Sequence, residues 1–271
     1  MHWRAPDAHI SLCGFYTSKS AAFIKEPSKV TKSYQSFIDH TGSAIAKKGT
    51  LLNEYFDTYQ FSSDYGKGFT AVYEIDSYAS ICIAEHSYFR DFEYAVPVED
   101  SIVIQQYDSI DSDRRYPPGN VLTGMQYIDY APDNQTYRYV IKKNVPAKVI
   151  GIQLLPDYYE TYLKKEFGIK GIDLKKDLQV FPHGVVIPEI AAIFNKIRSF
   201  NGSELSTRLF FKSKIDELTA ILIQKAEEFR LPENRKIIAS DRRTVARITE
   251  YVNTHICRKT FYCPSWQPRR I

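Results

Sequence analysis

From about residue 54 to residue 156 the chain alternates short apolar runs with turn residues. The runs cover 55–61, 69–75, 79–88, 92–98, 101–107, 120–128, 137–142 and 148–155, and the breakers between them include Asp64-Tyr65-Gly66, Pro117-Pro118-Gly119 and Pro132-Asp133-Asn134. Strands of this length and spacing, with no helical segment of ordinary size between them, predict an antiparallel barrel or sandwich rather than a parallel sheet. After Pro156 the period changes. Helices are expected over 158–167, closed by Gly168, over 173–180 and over 188–200, and Ser203 is placed to cap a long one over 203–230. Along that last segment Phe211, Ile215, Leu218, Leu222, Ala226 and Phe229 recur at three- and four-residue steps, which puts them on one helix face. Such a row serves equally as the seat of the helix on the barrel or as the seam of a dimer.

Pro232 ends the long helix. A polar linker leads to Ser240, which caps a further helix with Asp241 in its first turn and Val245, Ile248, Tyr251 and Val252 at helical spacing. The expected organisation is therefore α+β, with four parts. Residues 1–50 form a lead-in, with a short helix within 33–46. Residues 51–156 form a cupin-like antiparallel barrel or sandwich, 157–232 a helical dimerisation region, and 233–271 a linker with the start of a further domain.

Within the barrel two strand faces carry chemistry. Cys82, Ala84, His86 and Tyr88 share one face of their strand, as do Val103, Gln105 and Tyr107 on a later one. If these faces line the interior, His86, Tyr88, Gln105 and Tyr107 are candidates to hydrogen-bond a small molecule inside an aromatic wall. Ile81, Ile83, Ile102 and Ile104 on the opposite face are the better core candidates, but that face turns polar at Glu85 and Gln106, so the pattern leaves the choice open. Metal-dependent barrel enzymes need histidines two apart on one strand, and only Glu85-His86 comes near. There is no phosphate-binding glycine loop and no G-x-S-x-G. No metal, no cofactor and no catalytic residue is expected.

Composition adds two points. The 20 tyrosines and 16 phenylalanines suit strands and the wall of a polar-tipped cavity. The formal charge of +4 is unevenly spread: from Lys225 onward eleven Lys or Arg face five Asp or Glu, leaving the rest of the chain acidic. A basic end suggests an acidic partner, nucleic acid being the usual one, with Arg242, Arg243 and Arg247 as candidates for the DNA backbone. Four scattered cysteines without a C-x-x-C motif, and no apolar run of signal or membrane-spanning length, point to a reducing, cytoplasmic setting and no membrane partner.

Three stretches carry a family resemblance. They are 149–159 (Val-Ile-Gly-Ile-Gln-Leu-Leu-Pro-Asp-Tyr-Tyr), 181–190 with 210–218 (Phe-Pro-His-Gly-Val-Val-Ile-Pro-Glu-Ile and Phe-Phe-Lys-Ser-Lys-Ile-Asp-Glu-Leu), and 239–256 (Ala-Ser-Asp-Arg-Arg-Thr-Val-Ala-Arg-Ile-Thr-Glu-Tyr-Val-Asn-Thr-His-Ile). Together the chain resembles AraC/XylS transcription regulators, especially the siderophore-responsive branch. The resemblance implies an effector-sensing domain, a homodimer through the helices (Phe211, Ile215, Leu218, Leu222, Phe229), and DNA as partner through two helix-turn-helix units. Here the chain departs from the family. Two such units need roughly 50 residues at average helix length, whereas only 16 follow His255, with Pro264, Pro268 and no helical period. The expectation is a DNA-binding domain truncated within its opening helix, by a frame-shifted or premature end, against the alternative of a naturally short protein with a basic tail. The competing functional expectation is a cupin-like small-molecule-binding or metal-dependent barrel enzyme.

Overall fold

The computed structural model describes residues 31–46, 52, 54–116 and 118–231, and the side chains of 114–119 are left aside. The described residues open with helix α1 (Lys32–Thr41), ended by Gly42 in the left-handed region at φ 62°. Eleven strands follow: β1 (Ala44–Ile45), β2 (Asp57–Ser62), β3 (Gly66–Ile75), β4 (Ala79–Tyr88), β5 (Phe92–Pro97), β6 (Ser101–Ser109), β7 (Asp111–Tyr116), β8 (Pro118–Leu122), β9 (Gln126–Ala131), β10 (Thr136–Ile141) and β11 (Ala147–Leu154). A π-helix (Asp157–Tyr162) then runs into α2 (Leu163–Phe167), followed by α3 (Gly171–Leu178), α4 (Pro188–Ser199) and α5 (Glu204–Arg230).

The strands form two sheets, one in the order β1-β2-β3-β4-β11-β6-β9 and one in the order β5-β10-β7-β8. Every pairing between named strands is antiparallel. This is the expected α+β class: an antiparallel two-sheet barrel followed by helices. The expected run 120–128 is in fact two strands, because Gly124 at φ 79° turns the chain between β8 and β9. The charged strand β7 has no apolar signal, and its ladders to β10 and β8 supply the pairing.

Both faces of the larger sheet are buried, which explains why its alternation was ambiguous. Ile81, Ile83, Ile102, Ile104, Ile150 and Ile152 point away from the smaller sheet and join one apolar cluster with residues of the C-terminal helices. The row on α5 belongs to that same cluster: Phe211, Ile215, Leu218, Leu222 and Ala226 are at most 1% exposed, and Phe229 packs beside them with its ring 5.2 Å from that of Phe181. The expected dimer seam on Phe211, Ile215, Leu218, Leu222 and Phe229 is thus corrected. These side chains are spent on the chain's own core, and a seam on α5 has to use another face. Ser203 caps α5 as expected, its Oγ accepting the Ser206 amide at 3.4 Å.

The described part of the lead-in contains the expected short helix, α1, which packs on the barrel and buries Phe37 and Ile38. Its ends are pinned by hydrogen bonds. At the N-terminal end the Lys32 amide donates to Glu99 at 3.1 Å, and Thr31 Oγ1 donates to Gln153 at 3.2 Å. At the other end Tyr65 donates to the Thr41 carbonyl at 2.6 Å. Arg242, Arg243 and Arg247, with the rest of the expected DNA-binding stub, lie outside the described residues. Among the described residues, no helix is long and apolar enough to cross a membrane.

Candidate functional site

Between the two sheets, roofed by Tyr34 and Phe37 of α1, lies a cavity of about 150 Å³. The inward face of β4 supplies Cys82, Ala84 and His86, and that of β6 supplies Val103, Gln105 and Tyr107. The faces left open by the sequence therefore do line the interior. Of the four candidate ligand residues, His86, Gln105 and Tyr107 stand on the wall together. Tyr88 does not. Its ring stacks on Phe92 at 4.5 Å within a neighbouring aromatic cluster, outside the lining, and its hydroxyl has no hydrogen-bond partner.

Two glycines make room for these side chains. Gly68 on β3 pairs directly with His86, and a Cβ there would stand 2.8 Å from the His86 Cα. Gly151 on β11 faces Gln105, whose Cγ would be 2.9 Å from an added Cβ. A strand glycine at such a point marks close approach rather than flexibility. Because the Gly68 clash is with backbone, Gly68→Ala is expected to cost about 1–3 kcal/mol, read as a lowered denaturation midpoint. The milder Gly151→Ala meets a side chain that can swing.

The imidazole and thiol that β4 turns into the interior are held neutral. Burial lowers the His86 imidazole to about 4, a hydrogen bond from the ring to the Phe69 backbone carbonyl pulling the other way. His86 Nε2 lies 3.0 Å from Thr70 Oγ1, and its ring stacks on Phe37 at 5.0 Å. Burial likewise raises the Cys82 thiol to about 12 and the Tyr94 phenol well above its ordinary value, Tyr139 and Tyr107 adding to the latter. Only a small fraction of Cys82 is thiolate at neutral pH, so it is a poor nucleophile. Most polar groups on the wall already have partners: Tyr107 donates to Gln105 at 2.9 Å, and Gln153 donates to Ser101 at 3.1 Å. Among the described residues no group of three His, Cys, Asp or Glu is placed to hold a metal ion.

The residues that sequence reasoning missed come from across the barrel: Tyr94 from β5, Ser112 from β7, Tyr137 and Tyr139 from β10, and Tyr34 and Phe37 from α1. A signal existed on β5, where Phe92, Tyr94, Val96 and Val98 alternate with more polar or exposed positions. Nothing local announces that this face meets that of β4.

The cavity wall is also joined to the C-terminal helices. Gln153 and Ser101 line it, and the neighbour of Ser101, Asp100, accepts from Tyr159 of the π-helix at 2.7 Å. Lys175 of α3 lies 3.6 Å from Asp100 and 3.2 Å from Glu160, over the rings of Tyr130 and Tyr159. On its other side the π-helix sends Tyr158 to Asp216 of α5 at 2.9 Å and Tyr162 to the same carboxylate at 3.2 Å, where Lys212 also binds at 3.2 Å. A π-turn is a strained register that recurs at functional positions.

No protein-family model matches the sequence, and no curated protein matches it. Among solved structures, the AraC-like transcriptional activator CuxR is similar over 70% of this chain and 65% of its own, at 11% identity and a TM-score of 0.36. A cupin-like protein of unknown function from Ralstonia eutropha is similar over 43% of this chain and 64% of its own, at 11% identity and a TM-score of 0.26. Vicilin from hazelnut (Corylus avellana) is similar over 46% and 42%, at 14% identity and a TM-score of 0.29. The chain covers less than two thirds of each of these proteins. Likenesses at this level carry no assignment of activity, ligand or partner.

Proposed function

We propose that this chain is the effector-sensing portion of a transcription regulator of the AraC type, without a catalytic step of its own. The observation that carries the reading is the cavity of the barrel, roofed by α1 and linked through Gln153, Ser101, Asp100 and the π-helix to α5. A ligand acts only through different affinities for two states. An occupant that draws Gln153 or Ser101 towards itself changes what Asp100 and Tyr159 can hold, and α5 is the last described element before the basic segment with Arg242, Arg243 and Arg247. The resemblance over 239–256 supports DNA as the target of that output. A metal-dependent barrel enzyme, the competing reading, has no three-residue donor group among the described residues to favour it.

A homodimer is part of the proposal, with its seam on the exposed side of α5 rather than the buried row. Leu205 and Leu209, one turn apart, are 69% and 63% exposed. Leu205→Glu combined with Leu209→Glu is expected to shift the mass measured by light scattering from dimer to monomer, with a native circular dichroism spectrum retained. A wild-type monomer at tens of micromolar would remove dimerisation from the account.

The sensing role is tested by a thermal-shift screen of a broad small-molecule library against the wild type and against Val103→Trp, which fills the cavity. A ligand that binds the native state raises the melting temperature. The reading expects hits that Val103→Trp abolishes while its circular dichroism stays native. A screen whose hits all survive the filling, or that gives none, contradicts it.

A further inference from the structure

Ser112, on the inward face of β7, is 2% exposed and its Oγ has no hydrogen-bond partner. A buried hydroxyl left unpaired gives up its hydration with no bond in return, so such a group in a cavity wall calls for an occupant. We infer that the cavity takes an uncharged single-ring aromatic molecule with one or two hydroxyl groups, one of which pairs with Ser112. This rests on the reading of the barrel as an effector domain and narrows it.

Size sets the first limit. A cavity of about 150 Å³ matches the roughly 150 Å³ apolar cavity known to hold benzene. One six-membered ring with small substituents fits within it, whereas a siderophore or a nucleotide could not be enclosed. The wall sets the second. It is built from rings (Phe37, Tyr94, Tyr107, Tyr139) and branched aliphatic side chains such as Val103 and Val149, which favour a flat apolar body over a sugar.

Polar capacity sets the third limit. His86 is engaged with Thr70, Gln105 with Tyr107, and Gln153 with Ser101 and Thr31. A monosaccharide would bury several hydroxyls against groups already paired, and each one unsatisfied would weaken binding. A ring with one or two hydroxyls needs little more than Ser112 offers. The one charged side chain among the described lining residues is Asp129, so the wall offers a ligand carboxylate no cationic partner and its desolvation would go uncompensated. With the imidazole and thiol of the wall neutral, no described group there compensates an anion at neutral pH.

Calorimetric titration of the full chain with phenol, catechol, toluene, benzoate and glucose tests the inference. Phenol or catechol is expected to bind at least tenfold more tightly than benzoate or glucose. Ser112→Ala is expected to weaken phenol about tenfold and leave toluene unchanged. Ser112→Cys, which keeps the volume, controls for repacking and should behave like the alanine variant. The inference is overturned if benzoate or glucose binds best, if Ser112→Ala leaves phenol affinity intact, or if none of the five binds. In each of these cases a library hit abolished by Val103→Trp would still support the sensor reading, so the two fail separately.

Discussion

Phe211→Ala is expected to remove about 3–5 kcal/mol of stability, the cost of emptying an aromatic side chain from a packed core. Phe211 has no exposed surface. Its ring meets Tyr73 edge-on at 4.9 Å and Phe56 at 5.7 Å, so it ties α5 to β3 and to the segment before β2. Edge-to-face pairs add to the area term. Domains are stable by only about 5–15 kcal/mol, so the variant should be near its folding threshold at 37 °C. Guanidinium denaturation of Phe211→Ala beside Glu227→Ala reads this directly. Glu227 is exposed on α5, and its truncation is expected to change stability by about 0.5 kcal/mol or less. Equal, small effects at the two positions would mean that α5 does not seat on the sheet as described.

The second large effect is a dependence on pH carried by one histidine. Burial lowers His86 to about 4, against 6.5 for an unhindered imidazole. Above pH 6.5 the ring is neutral folded and unfolded, and its contribution is fully present. As pH falls from about 6.5 to 4 the unfolded chain binds a proton that the folded chain refuses, so stability is lost over that window. Below it both states are protonated and the loss levels off at about 3 kcal/mol. The groups around the ring are Thr70, Phe37, Phe61 and Tyr88, none of which offers a negative charge at these pH values. Since many carboxylates titrate nearby in pH, the measurement is a difference: unfolding free energies of wild type and His86→Gln at pH 7 and pH 4. The wild type is expected to lose about 3 kcal/mol more than the variant. Parallel losses would mean that the imidazole is solvated.

Much of this architecture is legible from alternation and turn chemistry. The strand 79–88 was expected with the bounds that β4 has, and Ser203 was expected to cap α5. What the pattern could not resolve has physical causes. A strand buried on both faces, one against helices and one against a cavity, loses the polar-apolar contrast that tells inside from outside. The inward residues Ala84, His86 and Gln105 look like a solvent face for that reason. An amphipathic row is likewise identical in sequence whether it meets its own sheet or a second copy. Phe211, Ile215 and Leu218 are therefore compatible with a dimer seam until the sheet beneath them is seen. Strand β7, with Asp111, Asp113 and two arginines, is held by its neighbours' ladders rather than by its own composition. Half of the candidate site could be assembled from β4 and β6. The other half needed the apposition of two sheets and the descent of α1, which are long-range facts.

The central claim is that an occupant of the barrel cavity is felt at α5. Amide hydrogen exchange of the full chain, with and without saturating phenol, tests it most directly. The account predicts slower exchange in α1, β4 and β11 around the cavity, and also in the π-helix Asp157–Tyr162 and the first half of α5, the elements joined through Asp100, Tyr159 and Asp216. Slowing in the cavity strands and α1 without any change in the π-helix and α5, or no change anywhere, would contradict it.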